Sequence, residues 1–344
     1  MRTLLVTAVA LLGVCLVCFG QAADTPFVVY TYDSFASWGP ASSIEQAFEA
    51  THPVDVRFVA VADSRSMLTR LLQERQAGRQ GADVFIGIEA AELARTQRLE
   101  LFVSIPPEDV PNLAAVDPAL LLDPSGSLIP YEHGYITFVY DSEHVETDTL
   151  ARTFEDLLDA RYRNQIILED PRMSSPGLSF LLWTIDRYGD PGYLDYWRQL
   201  RPNILTVAGG WGEAYDLFLA GEAPIVLSFS TDTAYSVIDH GSARHKVMLL
   251  QNQGYRNVYF MGVVQGTEHL DWATDFLDLV LSTEIQSLIP TTEWMFPANP
   301  EALLPVSFYQ YAVTPPQPVM VSPEAIAENL DRWLREWSLV ILGG

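Results

Sequence analysis

Two hydrophobic rhythms alternate along the chain from Val28 onward. Val28–Tyr32 is β-branched and aromatic; the run then breaks into Asp33, Ser34, Trp38 and Gly39, and after Pro40 the residues Ile44, Ala47 and Phe48 fall on one helical face. Asp55–Val61 alternates as a half-buried strand does. Met67, Leu68, Leu71 and Leu72 mark a second amphipathic helix with Asp63 or Ser64 at its cap, and Ala82–Gly87 is a continuous apolar strand. Strand, helix, strand, helix, strand is the order that builds a parallel sheet. Ligands of such sheets sit beyond the carboxyl ends of the strands, so the loop after Tyr32 and the residue Asp63 are the first candidate ligand groups. Tyr32 and Trp38 offer flat faces and Asp33 a negative charge, a set suited to a flat cation. Core packing for the tyrosines and turn or cap roles for the aspartates are the structural alternatives.

Leu101–Ser127 is rich in Pro, Asp and Leu without a period and reads as loop, whereas Tyr131–Asp141 returns to a strand pattern and is expected to cross into a second lobe. A helix is expected from Thr153, with Thr153 as its cap, then a short strand at Ile166–Leu168 and an apolar helix over Leu178–Trp183. Ser175 at the cap of that helix and Pro176 at its first position leave outward N–H groups where the helix dipole favours an anion, with Arg172 nearby; a phosphate suits the junction, and plain capping is the alternative. Gly209–Phe218 begins in glycine and continues as a helix, and Gly221 ends it before the strand Pro224–Ser228. Trp211 and Tyr215, four apart, share a helical face, as core partners or as a stack for a ligand. Phe229–Tyr235 is expected as a polar loop, Val258–Val264 as a return strand, Trp272–Leu281 as a helix, and Thr291–Pro297 as a loop exposing Trp294. In the last helix, opened by Ser322-Pro323-Glu324, the stripe Ile326, Leu330, Trp333, Leu334, Trp337 and Ile341 is expected to dock on the core.

Length adds a second lobe: 344 residues exceed what one compact core accommodates. The first residues add export. Met1–Ala23 carries one positive charge at Arg2, an apolar run from Leu4 to Phe19 and small residues suited to cleavage after Ala22, the pattern of a secretory signal. Both cysteines, Cys15 and Cys18, lie within it, so a chain cut at Ala22 has no thiol for a nucleophile, a disulfide or a metal; processing just before Cys18 with acylation of it stays open. With 20 basic against 44 acidic residues, nucleic acid and anionic membrane surfaces are excluded as partners, and a cation is attracted. The six histidines are scattered without zinc spacing, and neither a GxSxG elbow nor a GxxxxGK loop occurs. No catalytic or metal-binding set emerges, and the chain reads as a binder without a cofactor.

Four collinear stretches are specific enough to carry a resemblance: YTYDSFASWGP near the mature start, EDPRMSSPGLSFLLW, GGWGEAYDLFLAGEAPIVLSFSTDTAY and PTTEWMFPAN. Together they resemble the periplasmic thiamine-binding proteins of ABC importers, within the two-lobed extracellular solute-binding proteins. The resemblance implies a type II periplasmic-binding-protein fold, each lobe a mostly parallel sheet flanked by helices, with a ligand cleft between the lobes. It implies lobe 1 from 23–132 with about 256–300, lobe 2 from 133–255, a C-terminal helical segment over 301–344 packing on both, and a signal over 1–22. The implied ligands are thiamine and its mono- and diphosphate, and the implied partners are a permease and its ATPase at the inner membrane, met by a periplasmic monomer. Matching positions give Trp211, Phe229, Tyr235 and Trp294, with Tyr32 and Trp38, as the rings around the ligand, Asp63 as the carboxylate for the aminopyrimidine, and Ser174, Ser175 and Gly177 on the phosphate side. Phe229 departs from a close relative's tyrosine, keeping the ring face and losing a hydroxyl. A binder of polyamine or ferric iron on the same fold is the alternative; iron would want adjacent tyrosines where FSTDTAYS has one.

Overall fold

The computed structural model describes residues 26–60 and 64–343. The signal segment with Cys15 and Cys18, and Asp63 with its proposed capping role, lie outside the described residues. The elements follow in the order β1 (Phe27–Thr31), α1 (Asp33–Ser37), α2 (Ala41–Glu49), β2 (Val56–Ala60), α3 (Ser64–Gln76), β3 (Val84–Glu89) and α4 (Leu93–Arg98). Then come the long β4 (Ile129–Asp141), β5 (Ile166–Glu169), α5 (Ser175–Tyr188), α6 (Gly192–Leu200), β6 (Ile204–Ala208), α7 (Trp211–Leu219), β7 (Ile225–Phe229), α8 (Asp232–His240), β8 (His245–Met248) and the long β9 (Gln253–Val263). The chain ends through α9 (Leu270–Leu281), α10 (Thr283–Gln286), α11 (Ile289–Thr292), β10 (Phe296–Pro297), α12 (Val306–Tyr311), β11 (Gln317–Val319) and α13 (Pro323–Ile341).

One sheet runs through the molecule in the order β2-β1-β3-β9-β4-β7-β5-β6. The outer three strands at each end are parallel, as the βαβ pattern requires, and the two long central strands are antiparallel to their neighbours and to each other. Strand β4 pairs with β9 from Ile129 to Ile136 and with β7 from Ile136 to Tyr140, so a single strand hands the chain from one half of the sheet to the other. Two large cores flank this crossing. One gathers apolar side chains of 27–131 and 258–298; the other gathers those of 136–255 and the stripe of α13, whose Trp337 meets Trp197 of α6 edge to face at 5.7 Å. No helix among the described residues is long and apolar enough to cross a membrane.

Local chemistry accounts for most element ends. The Ser322 hydroxyl accepts from the Ala325 N–H at the start of α13, and the left-handed Gly241 closes α8. Four expectations need correction, the first being the loop read after Tyr32, where Asp33–Ser37 already forms the short helix α1. The residues after Thr153 form only a short 3₁₀ turn, Asp156–Leu158, with the Thr153 hydroxyl accepting from the Asp156 N–H. Phe229 ends β7 and the expected loop after it is only Ser230 and Thr231, because Asp232 already opens α8. At α5 the cap is Ser174, which places Ser175 at the first helical position and Pro176 at the second.

Candidate functional site

The cleft between the two cores encloses about 270 Å³ of open space and takes its walls from both. The first core contributes the turn after β1 (Tyr32, Ser34, Trp38), Glu89 at the end of β3, Glu132 of β4, Tyr259 of β9 and the bend Glu293-Trp294-Met295. The second contributes Met173 to Pro176 at the start of α5, Gly210 and Trp211 at the start of α7, Phe229, and Asp232 and Tyr235 of α8. Of the residues expected from sequence, Tyr32, Trp38, Ser174, Ser175, Trp211, Phe229, Tyr235 and Trp294 are brought together here. Gly177 is not on the wall. It is buried against β5, where a Cβ would stand 2.4 Å from the Glu169 carbonyl oxygen, so its role is close packing of α5 on the strand end.

The rings are fixed from behind. Trp211 stacks on Tyr215 at 4.9 Å, and its Nε1 donates to the Ser228 hydroxyl at 2.7 Å; Ser228 in turn bonds the Asp232 carboxylate. Tyr235 packs edge-on against Tyr215 at 5.6 Å and against Trp294 at 4.7 Å, so the last contact joins a ring of one lobe to a ring of the other. Trp38 is 60% exposed and stands at the rim. Tyr32 does more than present a face: its hydroxyl lies 2.7 Å from Glu293 Oε2, 3.1 Å from Glu132 Oε1 and 3.1 Å from the Tyr131 hydroxyl.

The serines of the α5 start are also engaged. The Ser175 hydroxyl lies 2.9 Å from that of Tyr259 and accepts from Asn257 Nδ2 at 2.7 Å, which ties the helix start of the second lobe to β9. Arg172 pairs with Asp170, and Arg65 of α3 pairs with Glu92 at 2.8 Å; both arginines line a shallow hollow that shares Ser174 and Ser175 with the cleft.

Sequence reasoning missed the carboxylates of the wall. Burial pushes Glu132 well above the ordinary carboxylate range, with the neighbouring Glu293 adding to the rise, and burial brings Glu293 up to about 7 although the Tyr32 hydroxyl works against it. On the opposite wall burial pushes Asp232 up to about 7, and behind it Glu169 is raised by burial and by Asp232. The signal lay within stretches already singled out: a glutamate inside the buried strand around Tyr131, and another between Thr292 and Trp294.

The profile of the bacterial extracellular solute-binding proteins matches residues 80–316. The thiamine-binding periplasmic protein of Brucella abortus is 33% identical over 319 residues, spanning 92% of this chain and 92% of that one. The corresponding protein of Salmonella typhimurium is 32% identical over 328 residues, 95% of this chain and 97% of its own. A solved periplasmic thiamin binding protein superposes with a TM-score of 0.82 at 30% identity, over 94% of this chain and 98% of that one. A ferric binding protein from Campylobacter jejuni shares the fold alone, with a TM-score of 0.77 at 16% identity. The chain belongs to the bacterial extracellular solute-binding proteins, in the branch of the periplasmic thiamine-binding proteins.

Proposed function

We propose that this chain is the periplasmic solute-capturing subunit of an ABC importer, and that it takes thiamine into the cleft between its lobes for delivery to a membrane permease. One observation carries the reading: among the described residues the lining contains seven aromatic residues and four carboxylates, Glu89, Glu132, Asp232 and Glu293, and no lysine, arginine or histidine. Such a wall is selective for a flat cation. Stacking a permanent cation such as thiazolium on a tryptophan or tyrosine contributes about 0.5–2 kcal/mol per ring, and the carboxylates gain Coulomb energy as closure removes water. Asp63, which directly precedes α3 in the sequence, keeps the pyrimidine-side role the resemblance gives it. The ligand leaves unchanged: the chain acts as a carrier and a monomer, without a cofactor. Phosphorylated forms fit the same reading, their phosphate leaving the acidic wall toward Ser174, Ser175 and the guanidinium groups of Arg65 and Arg172 beyond.

Tryptophan fluorescence tests it, since Trp38, Trp211 and Trp294 line the cleft. Refolded mature protein titrated with thiamine should give a saturable change at submicromolar ligand. Trp294→Ala should weaken binding about tenfold, the equivalent of one ring at about 1.4 kcal/mol. Absence of any response in folded protein, or wild-type affinity in Trp294→Ala, would overturn the assignment.

A further inference from the structure

We propose that Glu132 and Glu293 form one acidic subsite holding a shared proton, and that a cationic ligand entering the cleft expels this proton and takes its place as the positive charge. The inference rests on the reading of the cleft as a site for a flat cation and specifies how that charge is balanced.

The geometry is that of two acids at one hydroxyl. The Tyr32 phenol stands within hydrogen-bonding distance of both carboxylates and has one proton to give, and the Tyr131 hydroxyl beside it also bonds Glu132. Glu132 is 1% exposed, and its second oxygen, Oε2, is buried without a partner, as is Oε1 of Glu293. Glu293 reaches this position over Gly39, where a Cβ would lie 2.2 Å from Oε1. A buried acceptor left unpaired is costly, and two ionised carboxylates at one hydroxyl cost more. A proton held by the pair removes the repulsion between the acids, and a cation in the cleft beside them does so once the proton has gone.

Among the described residues of the lining no lysine, arginine or histidine compensates the pair. Facing the pair are the phenols of Tyr32, Tyr131 and Tyr259, with Glu89 acting on Tyr259 from β3. His133, next along β4, stacks on Phe296 at 5.5 Å and burial holds it down to about 4, which leaves it neutral at pH 6–7. Across the cleft stands the second acid pair, Asp232 with Glu169. Burial raises both acids, Glu293 to about 7, so at pH 6 the empty pair holds a proton that the bound cation displaces. Affinity therefore rises with pH toward about 7, by up to tenfold per pH unit, and levels off above it.

Calorimetric titration of the mature protein with thiamine, in two buffers of different ionisation enthalpy, counts protons per ligand bound. Close to one proton released at pH 6 and close to none at pH 9 are expected. Glu293→Gln or Glu132→Gln should abolish the release at pH 6, and Asp232→Asn should retain it. Thiamine binding at pH 6 without proton release overturns the shared proton and leaves the thiamine assignment standing; release lost in Asp232→Asn and kept in both glutamine variants moves the proton to the other wall and also overturns it. No thiamine binding at either pH overturns the functional reading and this inference with it.

Discussion

Trp294 has a φ of 57°, a conformation that costs a bulky residue on the order of 1–3 kcal/mol and persists where the surroundings impose it. The bend directs the Glu293 carboxylate toward Tyr32 and the Trp294 ring toward Tyr235 of the other lobe. Two adjacent residues thus serve two parts of the wall. The buried acids carry a second cost. A carboxyl whose folded-state pKa is raised stabilises the fold fully below its unfolded value and loses that contribution as pH rises through the folded value. For Glu293 the loss runs from about 4.5 to about 7. The ligand-free protein should therefore melt at a lower temperature at pH 8 than at pH 5, and Glu293→Gln should narrow the gap; thermal denaturation at the two pH values checks it. The rings of the wall came from the resemblance: Trp211, Phe229, Tyr235 and Trp294 match its positions, whereas the hydrophobic pattern alone left Tyr32 and Trp211 open to core packing and gave no signal for Tyr259 inside β9. The acidic part of the wall was not legible, because with 44 acidic residues only burial distinguishes Glu132 from the rest.

Elements were legible where a local rule acts alone. The Ser322 cap and the stripe of α13 stand where the pattern put them, and β1, β3 and β7 follow their apolar runs. Boundaries failed where tertiary contact decides. After Thr153, Asp156 and Asp159 satisfy nearby backbone N–H groups themselves, and the chain takes turns in place of a helix. At α5 the capping serine moved by one residue, since Gly177 must face the end of β5. That contact carries a prediction. Gly177→Ala places a methyl group against a backbone oxygen that has no rotamer to yield, and should destabilise the protein by about 1–3 kcal/mol, read as a lower denaturant midpoint. A direct role for Gly177 at the ligand would instead lower affinity at unchanged stability.

For the whole molecule, length and the βαβ order already called for two lobes, and the aromatic strand Tyr131–Asp141 marked where one passes into the other. The return crossing lies in β9, whose sequence changes from Gln253, Arg256 and Asn257 to an apolar run from Val258 at the point where it leaves one core for the other. In the structure the lobes share hydrogen-bonded strands: β4 and β9 pair from Ile129–Met261 to Ile136–Tyr255 across the boundary between the cores, with one bulge at Tyr131.

A twist of this ladder would let the cleft widen while the paired amides of the crossing keep their hydrogen bonds. Amide hydrogens of paired residues such as Ile136 and Val258 should exchange with deuterium equally slowly in empty and thiamine-loaded protein, while those of α8 and of the bend at Trp294 should slow on loading; unprotected crossing strands in the empty protein would mean that the joint melts to open.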